Sequence, residues 1–304
     1  MEKTISIDLC VIGAGRVGTT VSYTLAKKGL QDIRLKAISS RSIDSLDRAK
    51  KILGNLASGV IFTRKNLEAA SLANCILICT PDDTISRVCS EIFDGRVGNF
   101  KNYYAIHFSG SKSLEVLNSA RAAGVDIASI HPLKSFASIE EAIRSLPGTV
   151  FGVTYSSLKS KRIAEFLVKN LGGEVIEVED NKKPLYHAAA CVASNYLVTL
   201  INYAVLIHKK IGIKPEDSLK GLMGLVEGTV SNIKKMGTKK SLTGPIARGD
   251  VGTIKEHITS FNKFFSREEI TLYKIMGIET SKIAFQNKWV KESIVEELKE
   301  ILKE

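Results

Sequence analysis

The sequence predicts an α/β domain built on a doubly wound, parallel sheet, followed by an all-α C-terminal domain. Three observations carry this expectation. Short β-rich runs alternate with amphipathic stretches over roughly the first 180 residues, the pattern of strands joined by crossover helices. A glycine-rich turn, VIGAGRVG, joins the first strand to the first helix. From about residue 182 the strand-like runs stop and long helical periodicity takes over.

The expected strands are Ile7–Ile12, Ile33–Ile38, Val60–Phe62, Cys75–Cys79, Tyr103–His107, Ile127–Ile130, Val150–Val153 and Glu174–Val178. Between the first two, Val17, Val21 and Leu25 recur every four residues, so Val17–Lys28 is a helix with Gly29 at its C-terminal end. Ser42–Leu53 repeats the pattern, with Leu46, Ala49, Ile52 and Leu53 facing inward. The stretch DNKKP is polar and ends in Pro184, which suits a first helical turn. It sets the expected boundary between a domain of residues 1–181 and one of residues 182–304. The second domain reads as helices over Pro184–Lys210, Pro215–Met236, Asp250–Asn262, Arg267–Gln286 and Val290–Lys303.

The chain has 304 residues, of which 44% are hydrophobic and 25% charged, the balance of a globular protein with a buried core. No apolar run is read as long enough for a membrane span, so no membrane association is expected. The start, MEKTISIDLCVIGAG, lacks the regions of a signal peptide, and the expected location is cytoplasmic. The five cysteines are odd in number and form no CxxC, so reduced thiols are expected and no metal site. The formal charge of +11 is spread through helical stretches and mixed with acidic residues. Without a basic block interleaved with aromatics, nucleic-acid binding is not expected; the sign suits a cofactor with several phosphates.

Gly13, Gly15 and Gly18 give the spacing GxGxxG, around Ala14, Arg16 and Val17. The spacing gains meaning from its place between an apolar strand and a helix. Gly13 permits the tight turn, Gly15 lets the backbone approach a pyrophosphate, and Gly18 lets the helix pack on the strand. Free N–H groups at the helix start then face the anion. This is the dinucleotide loop of a Rossmann-type domain. NAD enzymes carry an acidic residue about 20 residues further on, for the ribose 2′-hydroxyl. Here AISSRS stands in that place, with Ser39, Ser40 and Arg41 and no carboxylate. Hydroxyls and a guanidinium suit a 2′-phosphate, so NADP(H) is the expected cofactor. Thr80 and Pro81 end the strand at Cys75 and are expected beside the cofactor, with Asp82 and Asp83 capping the next helix.

Two later loops leave the same sheet edge. HFSGS brings His107, Ser109 and Gly110; HPLKSF brings His131, Lys134 and Ser135. Their side chains either face a nicotinamide or make turn hydrogen bonds. In KPLYHAAACVASNYLVTL, residues Lys183, His187, Cys191 and Asn195 form one helical stripe. His187 has the intrinsic pKa range of a proton donor to a C=O or C=N group, and Asn195 can hydrogen-bond a substrate. Eight helical residues rise about 12 Å, so the two share a small substrate only if their side chains lean together. In LTGPIARGD, Thr243 opens a turn, Asp250 is a natural N-cap, and Arg248 beside the helix start suits a carboxylate. His257 reads as structural.

The phosphate loop, HPLKSF, YHAAACVASNYLVTL and above all LTGPIARGD resemble a bacterial family of Rossmann-like proteins with a C-terminal helical domain of unknown function. The match covers nearly the whole chain. The family is similar to pyrroline-5-carboxylate reductases and ketopantoate reductases, and some members resemble a separate class of ketopantoate reductase serving pantothenate and coenzyme A synthesis. Ketopantoate reductases carry a Lys and two Asn at four-residue steps on the corresponding helix. This chain has His187 in place of the Lys, Cys191 in place of the first Asn, and matches the second with Asn195.

The resemblance implies an NADPH-dependent reductase converting 2-dehydropantoate to pantoate, with an imine reductase of the pyrroline-5-carboxylate type as the alternative. A non-catalytic NADP sensor is the reading from a different class. The expected catalytic residues are His187, Asn195 and Ser109. Arg248, Thr243 and His131 are expected to bind a small carboxylate substrate, and a homodimer is expected by analogy.

Overall fold

Along β1 (Ile7–Ile12) successive side chains alternate between two buried faces. Leu9 and Val11 join one apolar cluster, Cys10 and Ile12 the other, and all four are at most 1% exposed. A strand buried on both faces needs cover on both, which crossover helices supply. The computed structural model describes residues 6–29, 31–95, 100 and 102–303. Residues 1–5, on which the expectation about a leader partly rests, lie outside the described residues.

The chain runs β1, α1 (Arg16–Lys27), β2 (Ile33–Ser39), α2 (Ile43–Leu53), β3 (Ile61–Thr63), α3 (Asn66–Ser71), β4 (Cys75–Ile78), α4 (Ile85–Phe93) and β5 (Tyr104–His107). It continues through α5 (Asn118–Ala122), β6 (Asp126–Pro132), α6 (Ile139–Ser145), β7 (Val150–Tyr155), α7 (Leu158–Asn170) and β8 (Glu174–Glu177). The strands form one eight-stranded sheet in the order β3-β2-β1-β4-β5-β6-β7-β8. Val21 and Leu25 of α1, Leu46 of α2 and Leu167 of α7 cover one face. Ala69 of α3 and Ile85, Val88 and Ile92 of α4 cover the other. Each such aliphatic side chain contributes roughly 1.5–3 kcal/mol when fully buried.

One feature departs from the expected parallel sheet. β6 and β7 are antiparallel, with His131 opposite Gly152. The chain leaves β6 at the edge where β7 begins, and α6 packs on α1 between them, so the strand re-enters from the edge it left. β8 then runs parallel to β7.

The helices that follow are α8 (Lys183–Cys191), a π-helical turn over Val192–Tyr196, α9 (Leu197–Lys210), α10 (Pro215–Lys240), α11 (Pro245–Arg248), α12 (Val251–Phe264), α13 (Arg267–Gln286) and α14 (Glu292–Lys303). Two compact units divide the chain, Met1–Tyr196 and Leu197–Glu304. The change from strands to helices falls where the sequence predicts it, but the first unit continues to Tyr196. Its physical reason is Lys183, whose buried side chain anchors α8 to the sheet loops.

The second unit has its own core of Ile246, Ile254, Ile258, Phe261, Ile270, Leu298 and Leu302. Its α13 begins with a reciprocal capping box between Ser266 and Glu269. The expected end of α10 at Met236 falls at a backbone break, Gly237 with φ +78°. Among the described residues of α9 and α10 only Ser218 is buried.

The stretch Asp180–Lys210 corrects the reading that no apolar run has the length of a membrane span. It is long and apolar enough, by length and composition, to cross a membrane. His187, Asn195 and Asn202 interrupt the run to the eye, but its average hydropathy stays high.

Candidate active site

The phosphate loop is built from three glycines with three different constraints. Gly13 has φ +110°, and a Cβ there would lie 2.7 Å from the Cys79 carbonyl oxygen. Its N–H donates to the Ser39 carbonyl at 2.8 Å, which ties the loop to the end of β2. A Cβ on Gly18 would lie 1.9 Å from the Gly13 carbonyl oxygen, so α1 packs against its own loop only with glycine there. A Cβ on Gly15 meets nothing within 4 Å, so this glycine faces open space. Ala14 is buried and its carbonyl accepts from the Thr19 hydroxyl at 3.3 Å. Arg16 opens α1 on the surface and Val17 is half-buried. No side chain caps α1 and its first turn carries no acidic residue, so its N–H groups remain suited to an anion.

Beside this loop lies a cleft of about 390 Å³, lined among others by Gly13, Gly15, Ser40, Arg41, Thr80 and Pro81. Thr80 has a buried hydroxyl without a hydrogen-bond partner among the described residues. Ser39 takes a different place from the one its position suggests. It is fully buried, and its hydroxyl donates to Asn66 Oδ1 at 2.8 Å. β2 alternation turns it inward, and the edge is left to Ser40 and Arg41. The cleft also contains Arg64, Asn66, Arg87 and Glu91, which local motif reading did not single out. Open space at Gly15, a glycine turn that a Cβ would block, and guanidinium groups around it fit a dinucleotide with its phosphates.

Asp82 departs from its expected capping role. Its carboxylate accepts from the Ser109 hydroxyl at 2.6 Å and from the Ser111 hydroxyl at 3.2 Å. It thereby joins the loops after β4 and β5. Ser109 is correspondingly not a free catalytic hydroxyl. It is 5% exposed, and its Oγ also accepts from the backbone N–H groups of Ser111 and Lys112. These contacts tie Ser109 into the loop after β5.

A second cavity, of about 670 Å³, gathers His131, Lys134, Tyr186, His187, Cys191 and Asn195, with Leu133, Ile176 and Ala190 among its apolar walls. All its lining residues belong to the first unit. The His131 and His187 rings stand 5.7 Å apart between centroids, and His131 Nδ1 lies 3.2 Å from the Tyr186 hydroxyl. Gly110 lies beneath both rings: a Cβ there would sit 2.6 Å from His187 Cδ2 and 2.7 Å from His131 Nε2. Gly152 makes the matching space for Tyr186, whose hydroxyl would be 2.3 Å from an added Cβ.

A π-helical turn begins between His187 and Asn195. In an unbroken α-helix they would stand about 80° apart around the axis. The wider turn between them takes up part of that rotation, and both line the cavity. Such turns recur at functional sites.

Burial controls protonation here. It lowers His131 to about 4, helped by the charges of His187 and Lys183 and opposed by Asp82, so His131 is neutral at pH 7. Burial lowers His107 to about 3, with Lys183 adding to the effect. The Ser109 N–H donates to His107 Nδ1 at 3.1 Å, which makes that nitrogen the acceptor. Lys183 is 1% exposed and donates to the Ser129 hydroxyl at 2.5 Å and to the Ser109 carbonyl at 3.1 Å. Burial lowers it to about 8, against the opposing pull of Asp180 and Asp82. His187 Nδ1 lies 3.7 Å from Cys191 Sγ. Cys10, Cys75 and Cys89 are buried, and burial raises Cys89 to about 11.

Thr243 and Arg248 belong to the second unit, where both are exposed. Thr243 precedes α11 and Arg248 is its last residue; Gly244 and Gly249, both with positive φ, bound the helix. Asp250 caps α12, accepting from the Thr253 N–H at 3.1 Å and the Thr253 hydroxyl at 2.7 Å. His257 pairs with the Tyr273 hydroxyl at 2.7 Å.

Residues 3–132 match the family model of a Rossmann-like domain, and residues 149–280 match a domain of unknown function, DUF2520. The second match begins at β7, inside the sheet. Protein TM1727 from Thermotoga maritima is similar at 26% identity and a TM-score of 0.71, over 92% of this chain and 99% of that one. BF3122 from Bacteroides fragilis, provisionally assigned as an NADP oxidoreductase, has the same TM-score at 17% identity, over 92% of this chain and 100% of its own. Pyrroline carboxylate reductase of Plasmodium falciparum, solved with NADP bound, aligns at 14% identity and a TM-score of 0.57, over 98% of this chain and 99% of that one. Among curated proteins no sequence matches this chain. The chain thus matches a Rossmann-like domain model in its first part and a DUF2520 model in its second, and its fold is similar to that of pyrroline carboxylate reductase.

Proposed function

We propose that the protein is an NADPH-dependent reductase of a small 2-oxo acid, with 2-dehydropantoate as its substrate and pantoate as product. The observation that carries this reading is the pairing of two sites in one unit. A glycine-loop cleft with guanidinium groups opens at the carboxyl ends of β1 to β4, and a cavity with two imidazoles and an amide opens beyond β6. Ligands of open α/β sheets bind at this edge.

Held by the glycine loop, Ser40 and Arg41, NADPH would supply the hydride for the substrate carbon. The chain's own residues do the rest. His187 gives a proton to the carbonyl oxygen, while Asn195 hydrogen-bonds and orients the substrate. His131 stays neutral and, with Tyr186, holds the wall against which His187 stands. Lys134 is the cation lining this cavity and suits a carboxylate. The walls of Leu133, Ile176 and Ala190 suit a branched aliphatic body.

A second reading is an imine reductase, because the fold is shared with pyrroline carboxylate reductases and a reductive aminase of Aspergillus terreus. NADPH oxidation by the purified protein against 2-dehydropantoate, other 2-oxo acids and cyclic imines separates the two. Turnover confined to imines would remove the pantoate assignment. Tight NADPH binding with no turnover across the panel would favour the sensor.

The protein is further proposed to be a homodimer in the cytoplasm. Val198 and Leu206 of α9 and Leu225 and Met236 of α10 are 45–70% exposed, a large apolar surface for a lone chain in water. Sedimentation at micromolar concentration tests it, and a monomer would overturn it. Partition into membranes in a fractionated cell would instead assign this surface to lipid.

A further inference from the structure

Arg41, Arg64 and Arg87 come from three separate segments and line one cleft. Each is exposed, and none is within ion-pair distance of a carboxylate among the described residues. Arg34 and Arg144, by contrast, are neutralised by Asp8 and Glu141 at 2.7 and 2.6 Å. Three unpaired cations around one concavity give it a positive potential that favours an anion. Glu91, a carboxylate in the same lining, is held by the Asn66 side-chain N–H at 3.0 Å.

The sheet order sets two of these arginines to one side of the glycine loop. Ser39 of β2 pairs with Thr63 of β3, and the Ser40 N–H donates to the Thr63 carbonyl at 3.2 Å. Arg41 and Arg64 therefore leave neighbouring strands just past the same level. They lie on the β2–β3 side of the glycine loop, away from β5 and the second cavity. Arg87 reaches the cleft from α4, across the loop. On that side Ser42 and Ser45 add hydroxyls to the lining.

We propose that Arg64 and Arg87, together with Arg41, form a second anion subsite that takes the 2′-phosphate monoester of the adenosine half and so selects NADP(H) over NAD(H). This rests on the reading of the cleft as a dinucleotide site. A phosphate monoester is a dianion with three acceptor oxygens, and guanidinium groups from several directions satisfy it with charge-assisted bonds. Three cations against one tethered carboxylate leave the cleft with the two positive charges such a dianion needs.

The test is calorimetric titration of the full-length protein with NADPH, NADH, 2′,5′-ADP and 5′-AMP. Arg64→Ala and Arg87→Ala should each weaken NADPH and 2′,5′-ADP by about tenfold or more. NADH and 5′-AMP should bind the variants as they bind the wild type. Equal weakening of NADPH and NADH would assign these arginines to the pyrophosphate and overturn the proposal. Unchanged NADPH affinity in both variants would overturn it too, with the dinucleotide reading intact. Failure of both NADPH and NADH to bind the folded wild type would instead remove the dinucleotide reading on which the proposal rests. Circular dichroism of each variant separates lost binding from lost folding.

Discussion

His131 and His187 face each other across Gly110, with ring centroids 5.7 Å apart and no room for a Cβ beneath either ring. One imidazole comes from the end of a strand and the other from the first helix after the sheet. Their meeting gives the cavity two unlike groups of the same residue type. Burial holds His131 neutral, while His187 stands beside Cys191 at the cavity wall.

His187→Ala should lower the turnover of the reductase by about 10²–10⁴-fold, the usual contribution of a positioned acid. NADPH affinity should stay within about twofold, since His187 is not part of the glycine-loop cleft. Stopped-flow oxidation of bound NADPH separates the two quantities. A variant with full turnover would move the proton donor to another residue.

Gly110→Ala would push a methyl group into both rings. Overpacking of this kind costs about 1–3 kcal/mol, so the melting temperature should fall by several degrees. Turnover should fall further than stability explains, because both imidazoles must move. Thermal unfolding and steady-state rates on the same sample check this.

Gly15→Ala and Gly18→Ala should behave differently although both break GxGxxG. A Cβ at 15 meets no protein atom within 4 Å, so that variant should keep its melting temperature and lose NADPH affinity. A Cβ at 18 collides with the Gly13 carbonyl at 1.9 Å, so that variant should lose both. Equal melting temperatures for the pair would contradict the loop geometry.

Acid should destabilise the protein before its carboxylates protonate. His131 and His107 have folded values of about 4 and about 3, below the unfolded value near 6.5. The unfolded chain therefore binds more protons as pH falls below about 6.5, and stability declines by about 1.4 kcal/mol per pH unit for each histidine. The decline attributable to His131 ends near its folded value. His131→Asn should flatten the denaturation midpoint against pH between about 6.5 and 4. An unchanged slope would show that His131 does not titrate as its burial requires.

Lys183 sets an opposite limit at alkaline pH. Its folded value of about 8 lies below the usual lysine value near 10.4, so the folded state loses this proton first. Stability should rise with pH between those two values, and Lys183→Met should abolish the rise. The same substitution removes the anchors to Ser109 and Ser129, so the variant should also loosen α8. Hydrogen exchange at Tyr186–Cys191 reads that loosening.

The sheet and the phosphate loop were legible because their signals are local. Strand alternation, the glycine spacing and the Pro184 helix start each lie within a dozen residues. The sequence ended this helix at Met236, beside the break at Gly237, although α10 resumes beyond it to Lys240. The direction of Ser39 was less so. Its place after β2 suggested a ligand contact, but the alternation of the strand turns it toward Asn66.

By itself, then, the sequence determined a doubly wound α/β domain, an anion-binding loop at its first turn, and a helical second part. Those follow from periodicity and from backbone needs of particular glycines. Tertiary structure alone decided that β7 runs antiparallel, that Lys183 is buried in the sheet loops, and that Ser109 is consumed by Asp82. It also decided which arginines share the cleft. Arg41, Arg64 and Arg87 lie on different segments, and no local pattern marks them as neighbours. They meet because parallel strands deliver their carboxyl ends to one edge, which is a property of the sheet rather than of any single stretch of chain.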